Sequence, residues 1–197
     1  LIVLMHNDVV LPEGWLNAFL EGFRLEPDTG VVGPMSNRMA GIQRIVTPDN
    51  VERTDFETTA ADFYACNQHK RVPALKLSDV CLLFCRNLLE QVGGFDELFK
   101  TAEIAIEDFC NRVVLSGHRN WVAADTYVYH YDRHKRRKKN GSQGSDISED
   151  RKRYKEKWNH TQGQELKDLQ TVELMTEADK LSQQGRSDQA VETLLTA

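Results

Sequence analysis

The chain contains 197 residues, with 25 Lys and Arg against 30 Asp and Glu, and its formal net charge is −5 at pH 7. This length suits one good-sized domain, or one domain with a short appendage, and it excludes two full domains. The longest apolar runs are far shorter than the ~18 residues that span a bilayer. The mildly acidic balance argues against a nucleic-acid binder that works by bulk charge. The composition therefore predicts a soluble globular protein without a transmembrane segment.

Both ends of the sequence indicate a piece of a longer protein. Residues 1–5, Leu-Ile-Val-Leu-Met, have the pattern of a buried strand with no turn or start Met before it. The last residues stop inside a helical pattern. We therefore expect the parent protein to be longer than this chain.

Apolar periodicity and turn residues divide the front of the chain into alternating strands and helices. The predicted strands cover residues 1–5, 31–33, 80–85, 120–124 and 126–131. Four helices are predicted in the same part of the chain. The first begins near residue 12, the second includes residues 56–64, the third runs from about 86 to the Gly pair at 93–94, and the fourth covers 103–115. This alternation is typical of an α/β domain with a largely parallel sheet, and the patterns at 148–158 and 164–197 make the back of the chain all-α.

The four cysteines, at positions 66, 81, 85 and 110, form no C-x-x-C pair and have no histidine at a zinc-site spacing. Three of them lie in apolar stretches, where a thiol packs as a small hydrophobic group. We expect reduced core thiols in a cytoplasmic protein.

Asp8 is the first candidate site residue, because it follows a predicted buried strand by three positions. Ligands of open α/β sheets bind beyond the carboxyl ends of the strands. One or two carboxylates are enough to hold Mg²⁺ together with substrate phosphates. A divalent-cation ligand and a solvated aspartate in a turn are both compatible with this local sequence.

Glu107 and Asp108 are adjacent acids within a predicted helix. Adjacent helical positions point about 100° apart, so one carboxylate is expected to face a cleft while the other supports it or meets solvent. A carboxylate near a bound sugar hydroxyl suits a general base. The alternative is a pair of surface acids that the helix dipole favours.

His130 lies near the end of the segment Tyr127-Val128-Tyr129-His130-Tyr131. The period-2 alternation of a strand places the three tyrosines on one face and Val128 with His130 on the other. At such a position a histidine is either a metal ligand or a packed core residue.

Taken in order, these pieces resemble the second half of a bacterial family 2 glycosyltransferase of the GT-A fold, over about residues 1–160. The matching stretches are Asn7-Asp8-Val9-Val10, Gly14-Trp15-Leu16, Val32-Gly33-Pro34-Met35-Ser36-Asn37, Gly41-Ile42-Gln43, Gly93-Gly94-Phe95-Asp96-Glu97, Glu107-Asp108-Phe109-Cys110-Asn111-Arg112 with Gly117 after it, Tyr129-His130-Tyr131, and Lys155-Glu156-Lys157-Trp158. Each motif is weak by itself, and their common order makes the resemblance specific.

The resemblance implies a GT-A-like (Rossmann-like) α/β domain with a mostly parallel sheet and an α-helical extension. It also implies an enzyme of polysaccharide biosynthesis that moves a sugar from a nucleotide-diphosphate donor to a saccharide, lipid-linked or protein acceptor. Transfer would be inverting and would need Mg²⁺ or Mn²⁺, because a divalent cation offsets the charge of the leaving diphosphate.

The resemblance further implies roles for individual residues. Asp8 and His130 would bind the metal, and His6 and Asn7 would contact the donor. Asp108 and Glu107 would be the catalytic residues, with Asp108 as the base. The acceptor would be bound by Asn37, Gln43 and Asp96.

Two residues depart from the family pattern. His6 stands two positions before Asp8, where the family usually has Asp or Asn, and Asp79 stands where we expect a glycine near the acceptor pocket. The sequence also has no counterpart of the family's N-terminal half, which reads the donor's base and ribose. These departures favour the alternative function, a non-catalytic glycosyltransferase-like scaffold with a helical-repeat tail that binds a protein.

The composition changes after residue 132, and we predict four segments. These are the transferase half-domain 1–132, a basic flexible linker 133–147, a helical end of the transferase domain 148–163, and a tail 164–197 that resembles one partial tetratricopeptide-like repeat for partner binding. The basic run 133–139 suits a solvated loop, a lid over the donor phosphates, or an anchor at the inner face of the membrane. A nucleic-acid role ranks last, because no aromatic residue interrupts the run.

Overall fold

The computed structural model describes residues 1–39, 41–45, 55–131 and 142–159, without the side chains of Leu25 and of residues 142–145. The chain divides into two compact units, Leu1–Lys152 and Arg153–Ala197. Of the second unit, only residues 153–159 are described, and they form the end of a helix. The basic run 133–139 and the predicted repeat at 164–197 therefore lie outside the described residues.

Strands and helices alternate along most of the described chain. The strands are β1 (Ile2–Met5), β2 (Val9–Val10), β3 (Thr29–Ser36), β4 (Arg71–Pro73), β5 (Cys81–Phe84) and β6 (Arg119–His130). The helices are α1 (Trp15–Leu25), α2 (Phe56–Asn67), α3 (Arg86–Val92), α4 (Ala102–Leu115) and α5 (Ser142–Trp158), with a 3₁₀ turn at Gly41–Gln43. The predicted α/β class is confirmed, and α5 begins six residues before the start of the helix predicted at 148–158.

The sheet is mixed, and its strand order is β1-β5-β3-β6-β2. The sixth strand, β4, is not part of this linear order and pairs with β6. Among the strand pairs of the described residues, β3 with β6 is parallel and the other four are antiparallel. The prediction of a mostly parallel sheet is therefore wrong. The β1–α1–β3 unit has the expected parallel sense, but β5 inserts between its two strands and runs the opposite way.

Successive side chains of a strand point to opposite faces of the sheet, and both faces of the central strands are buried. On one face, side chains such as Val31, Leu82 and Val122 pack against α3 and α4. On the other, neighbours such as Val32 and Leu83 pack against Phe19 of α1. A sheet covered by helices on both faces leaves its strand ends, rather than its faces, as the places where polar residues can gather.

The strand predicted at the start of the chain is present but not buried. Val3, Leu4 and Met5 are 39%, 36% and 40% exposed. The reason is the position of β1 at the edge of the sheet, where its one described strand partner is β5. An apolar run alone does not distinguish an edge strand from a central one.

The two strands predicted at 120–124 and 126–131 are a single strand, β6, with an irregularity at the predicted break. Pro34 of β3 pairs with Ala123 and the next residue, Met35, pairs with Tyr127. The predicted alternation after the break is confirmed: Tyr127 packs with Phe56 of α2, whereas Val128 belongs to a different apolar cluster. The break in the sequence pattern thus marks an irregularity in one long strand.

The cysteines follow the expected pattern where they are most buried. Cys81 lies in β5 and Cys110 in α4, both fully buried, whereas Cys85 is partly buried and Cys66 is exposed. Burial raises the pKa of the Cys81 and Cys110 thiols from 9.0 to about 12, because a thiolate is poorly solvated in the core. All four are free thiols.

Within the described residues, no helix combines the length and the apolar character that crossing a membrane requires.

Candidate metal centre

Three strands that run in the same direction end together at one edge of the sheet. β1 and β3 share a direction because β5 is antiparallel to both, and β6 is parallel to β3. Their last residues are Met5, Ser36 and His130. Each residue at this end of the sheet is thus anchored by the strand that precedes it. In open α/β sheets, ligands bind at this kind of position, beyond the carboxyl ends of the strands.

Asp8 and His130 meet at this edge. His130 Nε2 lies 3.2 Å from Asp8 Oδ1, and the side chains of His130 and Asp8 are 7% and 3% exposed. The backbone fixes this proximity, because Val9 pairs with His130 and the Tyr131 amide donates to the Asp8 carbonyl at 3.1 Å. A short strand pairing therefore brings together two residues from opposite ends of the described domain.

His6 is the third member of the cluster. One possible ligand atom from each of His6, Asp8 and His130 lies within 4.8 Å of the others, and the two imidazole rings meet edge to face at 5.4 Å. In the described part of the chain, this is the one group of three or more such side chains that is close enough to share an ion. We call it the His-Asp-His cluster.

Asp79 contacts the cluster from the turn just before β5. Its Oδ2 lies 3.2 Å from His6 Nε2, and the neighbouring Val80 carbonyl accepts a hydrogen bond from the His6 amide at 2.9 Å. A carboxylate oxygen accepts hydrogen bonds, so we assign the N–H in this pair to His6 Nε2. The lone pair of a neutral His6 ring then resides on Nδ1.

Asn37 fixes the other histidine. Its Oδ1 accepts a hydrogen bond from the His130 amide at 3.0 Å and one from the Ser36 hydroxyl at 3.1 Å. The side chain of Asn37 thus ties the end of β3 to the end of β6, and it positions the backbone that carries His130.

The donor set of the cluster fits a divalent cation. Two ligands that lie ~2.1 Å from one ion, with an angle of about 100° between them, are ~3.2 Å apart. Asp8 Oδ1 and His130 Nε2 have this separation. Two imidazoles and a carboxylate supply three protein ligands and leave coordination positions for water or substrate oxygens.

Asp108 and Glu107 are not members of the cluster, and each holds an arginine. Asp108 is fully buried, and its Oδ2 accepts a hydrogen bond from Arg112 Nε at 2.9 Å. Glu107 Oε2 pairs with Arg151 of α5 at 2.6 Å, and its Oε1 lies 3.5 Å from Lys76 Nζ. Burial lowers the pKa of Arg151, but the hydrogen bonds and charges of Glu107 and Glu103 together outweigh it and raise that pKa above its ordinary value.

The remaining predicted site residues are placed as follows. Gln43 is buried, with Nε2 donating to the Pro34 carbonyl at 2.8 Å and Oε1 accepting from the Ser78 amide at 2.7 Å. Asp96 Oδ1 accepts from the Leu98 amide at 2.9 Å, which stabilises a turn. Both residues therefore have a structural role, and their binding of the acceptor stays a prediction.

Asn7 is exposed in the turn between β1 and β2, directly between His6 and Asp8. A position beside the cluster is compatible with donor contact, which stays a prediction for this residue.

Sequence reasoning missed that His6 and Asp79 work as a pair. Each was recognised separately as a departure from the family pattern, but 73 positions separate them. The pair follows from strand pairing instead: Met5 pairs with Cys81, so His6 lies opposite Val80, and Asp79 is the next residue along that chain.

Comparison with known proteins adds no assignment. The chain matches no protein-family model, and neither the curated proteins nor the solved structures include a significant match to it.

Proposed function

We propose that this protein is a metal-dependent glycosyltransferase that moves a sugar from a nucleotide-diphosphate donor to an acceptor hydroxyl with inversion. One observation carries the proposal: Asp8 and His130, the two residues to which the family resemblance assigns the metal, lie 3.2 Å apart at the edge where parallel strands end. Neither the periodicity nor the spacing of the sequence requires these two residues to meet.

In this proposal, Asp8 and His130 hold the cation at the donor diphosphate. When bound, the cation offsets the negative charge that develops on the departing nucleoside diphosphate. The hydrogen bonds from the His130 amide to Asn37 and from the Tyr131 amide to the Asp8 carbonyl keep both ligands in place. Ligands held in this way lose little freedom when the donor arrives, which favours tight binding.

Asp108 is the proposed base that takes the proton of the acceptor hydroxyl. Its burial and its bond to Arg112 fix the carboxylate in one orientation. Glu107, beside it, accepts a hydrogen bond from Arg151, and its catalytic role stays a prediction.

Calorimetry tests the donor site directly. The full-length protein is titrated with UDP and with GDP, with and without Mn²⁺, and so are Asp8→Ala and the control Asp62→Ala, which removes an exposed carboxylate from α2. We expect Mn²⁺ to strengthen nucleotide binding by roughly 10-fold or more in the wild type and the control. We expect no such gain in Asp8→Ala.

The alternative, a non-catalytic scaffold, also has an observation in its favour, because both acids proposed for chemistry hold arginines. A folded protein that binds neither nucleotide, with or without Mn²⁺, would contradict the transferase proposal and support the scaffold. Binding that does not depend on the metal would contradict the role of Asp8 alone.

A further inference from the structure

The environment of His6 distinguishes the His-Asp-His cluster from an ordinary magnesium site. Mg²⁺ prefers oxygen ligands, keeps several waters, and is usually held by one or two carboxylates with substrate phosphates. Imidazole nitrogen instead favours the first-row transition metals. Two of the three potential ligands here are imidazoles, and the single carboxylate is Asp8.

Asp79 contacts the His6 ring in the way that carboxylates contact metal-binding histidines. Metal-binding histidines commonly donate their second ring N–H to a carboxylate, which fixes the tautomer and the orientation of the ring and makes the other nitrogen more basic. His6 Nε2 and Asp79 Oδ2 are 3.2 Å apart. The backbone bond from the His6 amide to Val80 holds the two residues in register.

The burial of the three side chains is uneven, and it suits an ion that exchanges its other ligands. Asp8 and His130 are almost completely buried, whereas the His6 side chain is 34% exposed and Asp79 is 20% exposed. Solvent and phosphate oxygens can therefore approach from the His6 side. This is the arrangement of a site with open positions rather than of a closed structural site.

We propose that His6, positioned by Asp79, is a third protein ligand, and that the cluster therefore binds Mn²⁺, Fe²⁺, Co²⁺ or Zn²⁺ in preference to Mg²⁺. The inference rests on the proposed function for its biological meaning, because it narrows the cofactor of that site. Its test is separate, since it uses the metal alone and no nucleotide.

The experiment measures metal binding to protein that has been freed of metal with a chelator. Mn²⁺ binding is followed by the loss of the electron paramagnetic resonance signal of free Mn²⁺, and Mg²⁺ binding by competition against Mn²⁺. For the wild type we expect Mn²⁺ to bind about 10-fold or more tightly than Mg²⁺. Co²⁺ should give visible absorption bands that change when a nitrogen ligand is removed.

Four variants define the roles of the two residues. His6→Ala should weaken Mn²⁺ binding about 10-fold or more and should bring it close to the affinity for Mg²⁺. Asp79→Ala should weaken Mn²⁺ binding by a similar factor, and Asp79→Asn should restore part of it, because the amide oxygen accepts the same N–H. The control is His69→Asn, because His69 pairs with Glu21 at 2.8 Å on the surface and belongs to no cluster of the described residues.

The result that overturns the inference is equal affinity for Mg²⁺ and Mn²⁺, or Mn²⁺ affinity in His6→Ala within about 2-fold of the wild type. Absence of binding by any of these ions overturns it as well. If only the proposed function is wrong, the result is different: the protein binds the metal with the predicted selectivity but binds no nucleotide in its presence.

Discussion

Arg112 donates from Nε to Oδ2 of Asp108, one helical turn earlier in α4, at 2.9 Å. The same guanidinium donates to the carbonyls of Val92, Gly93 and Gly94, in the turn that ends α3. The Asp108–Arg112 pair therefore ties α4 to the Gly-Gly turn, and its carboxylate is also the proposed base. Substitutions at the two positions separate these roles.

Asp108→Asn keeps the size of the side chain and removes its charge. If Asp108 is the base, transfer should fall by about 10²-fold or more, because that is the usual contribution of general-base catalysis. Mn²⁺ binding should stay at the wild-type level. Initial rates of nucleoside diphosphate release, measured beside a Mn²⁺ titration, check both expectations.

Arg112→Met provides the structural arm of that test. It leaves the buried Asp108 charge without its guanidinium, so we expect the free energy of unfolding to fall by about 3 kcal/mol. Arg86→Met, at an exposed position of α3, is the matched control and should change stability by less than about 0.5 kcal/mol. If Asp108→Asn retains full transfer while Arg112→Met unfolds at lower urea, the pair is structural and the base lies elsewhere.

Gly30 allows β3 to pack closely on α4. A Cβ built at Gly30 would lie 2.3 Å from Val113 Cγ1 and 3.1 Å from His118 Cβ. Gly30→Ala should therefore destabilise the protein by about 1–3 kcal/mol through overpacking. Equilibrium urea unfolding measures this loss. Gly94→Ala is the control, because no atom lies within 4 Å of its built Cβ, and a similar loss in both variants would contradict the packing explanation.

Arg71 and Asp125 form the most buried ion pair that the described residues contain. Arg71 Nη1 lies 2.6 Å from Asp125 Oδ2, with side chains 6% and 0% exposed. Arg71→Met should cost about 3–5 kcal/mol, because it leaves an uncompensated charge in the core. A double-mutant cycle with Asp125→Asn should give a coupling of about 1 kcal/mol or more. The exposed Arg24 of α1, changed to Met, serves as the reference, and additive effects would show that the pair is not coupled.

Thiol reactivity reports the burial of the cysteines. The thiolate is the reactive form, and burial raises the pKa of Cys81 and Cys110 to about 12. At pH 8 in the native state, iodoacetamide should therefore modify Cys66 rapidly and leave Cys81 and Cys110 unmodified, whereas all four should react in urea. Peptide mass mapping measures each site, and rapid native modification of Cys110 would contradict the packing of α4.

The same shifts have a consequence for stability. Because the folded-state pKa lies above the ordinary value of 9.0, the unfolded state releases these protons first as the pH rises. The contribution of the two thiols to stability is thus fully present below pH 9 and declines between pH 9 and about 12. The urea midpoint should fall over this range, and by less in Cys110→Ala than in the wild type.

Much of the fold was predictable because it depends on local pattern. The 3.6-residue spacing around Phe19 and the glycines after α3 and α4 give helices close to their observed positions. The insertion of β5 between β1 and β3 was not predictable, because period-2 hydrophobicity gives a strand its faces but not its neighbours. For the same reason, the exposure of β1 was predicted wrongly.

The candidate site divides in a similar way. Asp8 and His130 could be suggested because each lies beside the end of a strand, a local feature. The His6–Asp79 pair depends on the register between β1 and β5, which the sequence does not state. The Asp108–Arg112 pair could have been noticed, because acid and arginine four positions apart share a helix face.

The irregularity in β6 also sets the phase of the rest of that strand. Between the pairs at Ala123 and Tyr127, β6 advances four residues while β3 advances one. Removing a single residue there would, if the strand end shifted to compensate, exchange the two faces of its last residues. His130 would then point where the tyrosines now pack, and Asp8 would lose its neighbour although no ligand had changed. The arrangement of the His-Asp-His cluster therefore depends on the number of residues in this irregularity as well as on the identity of its side chains.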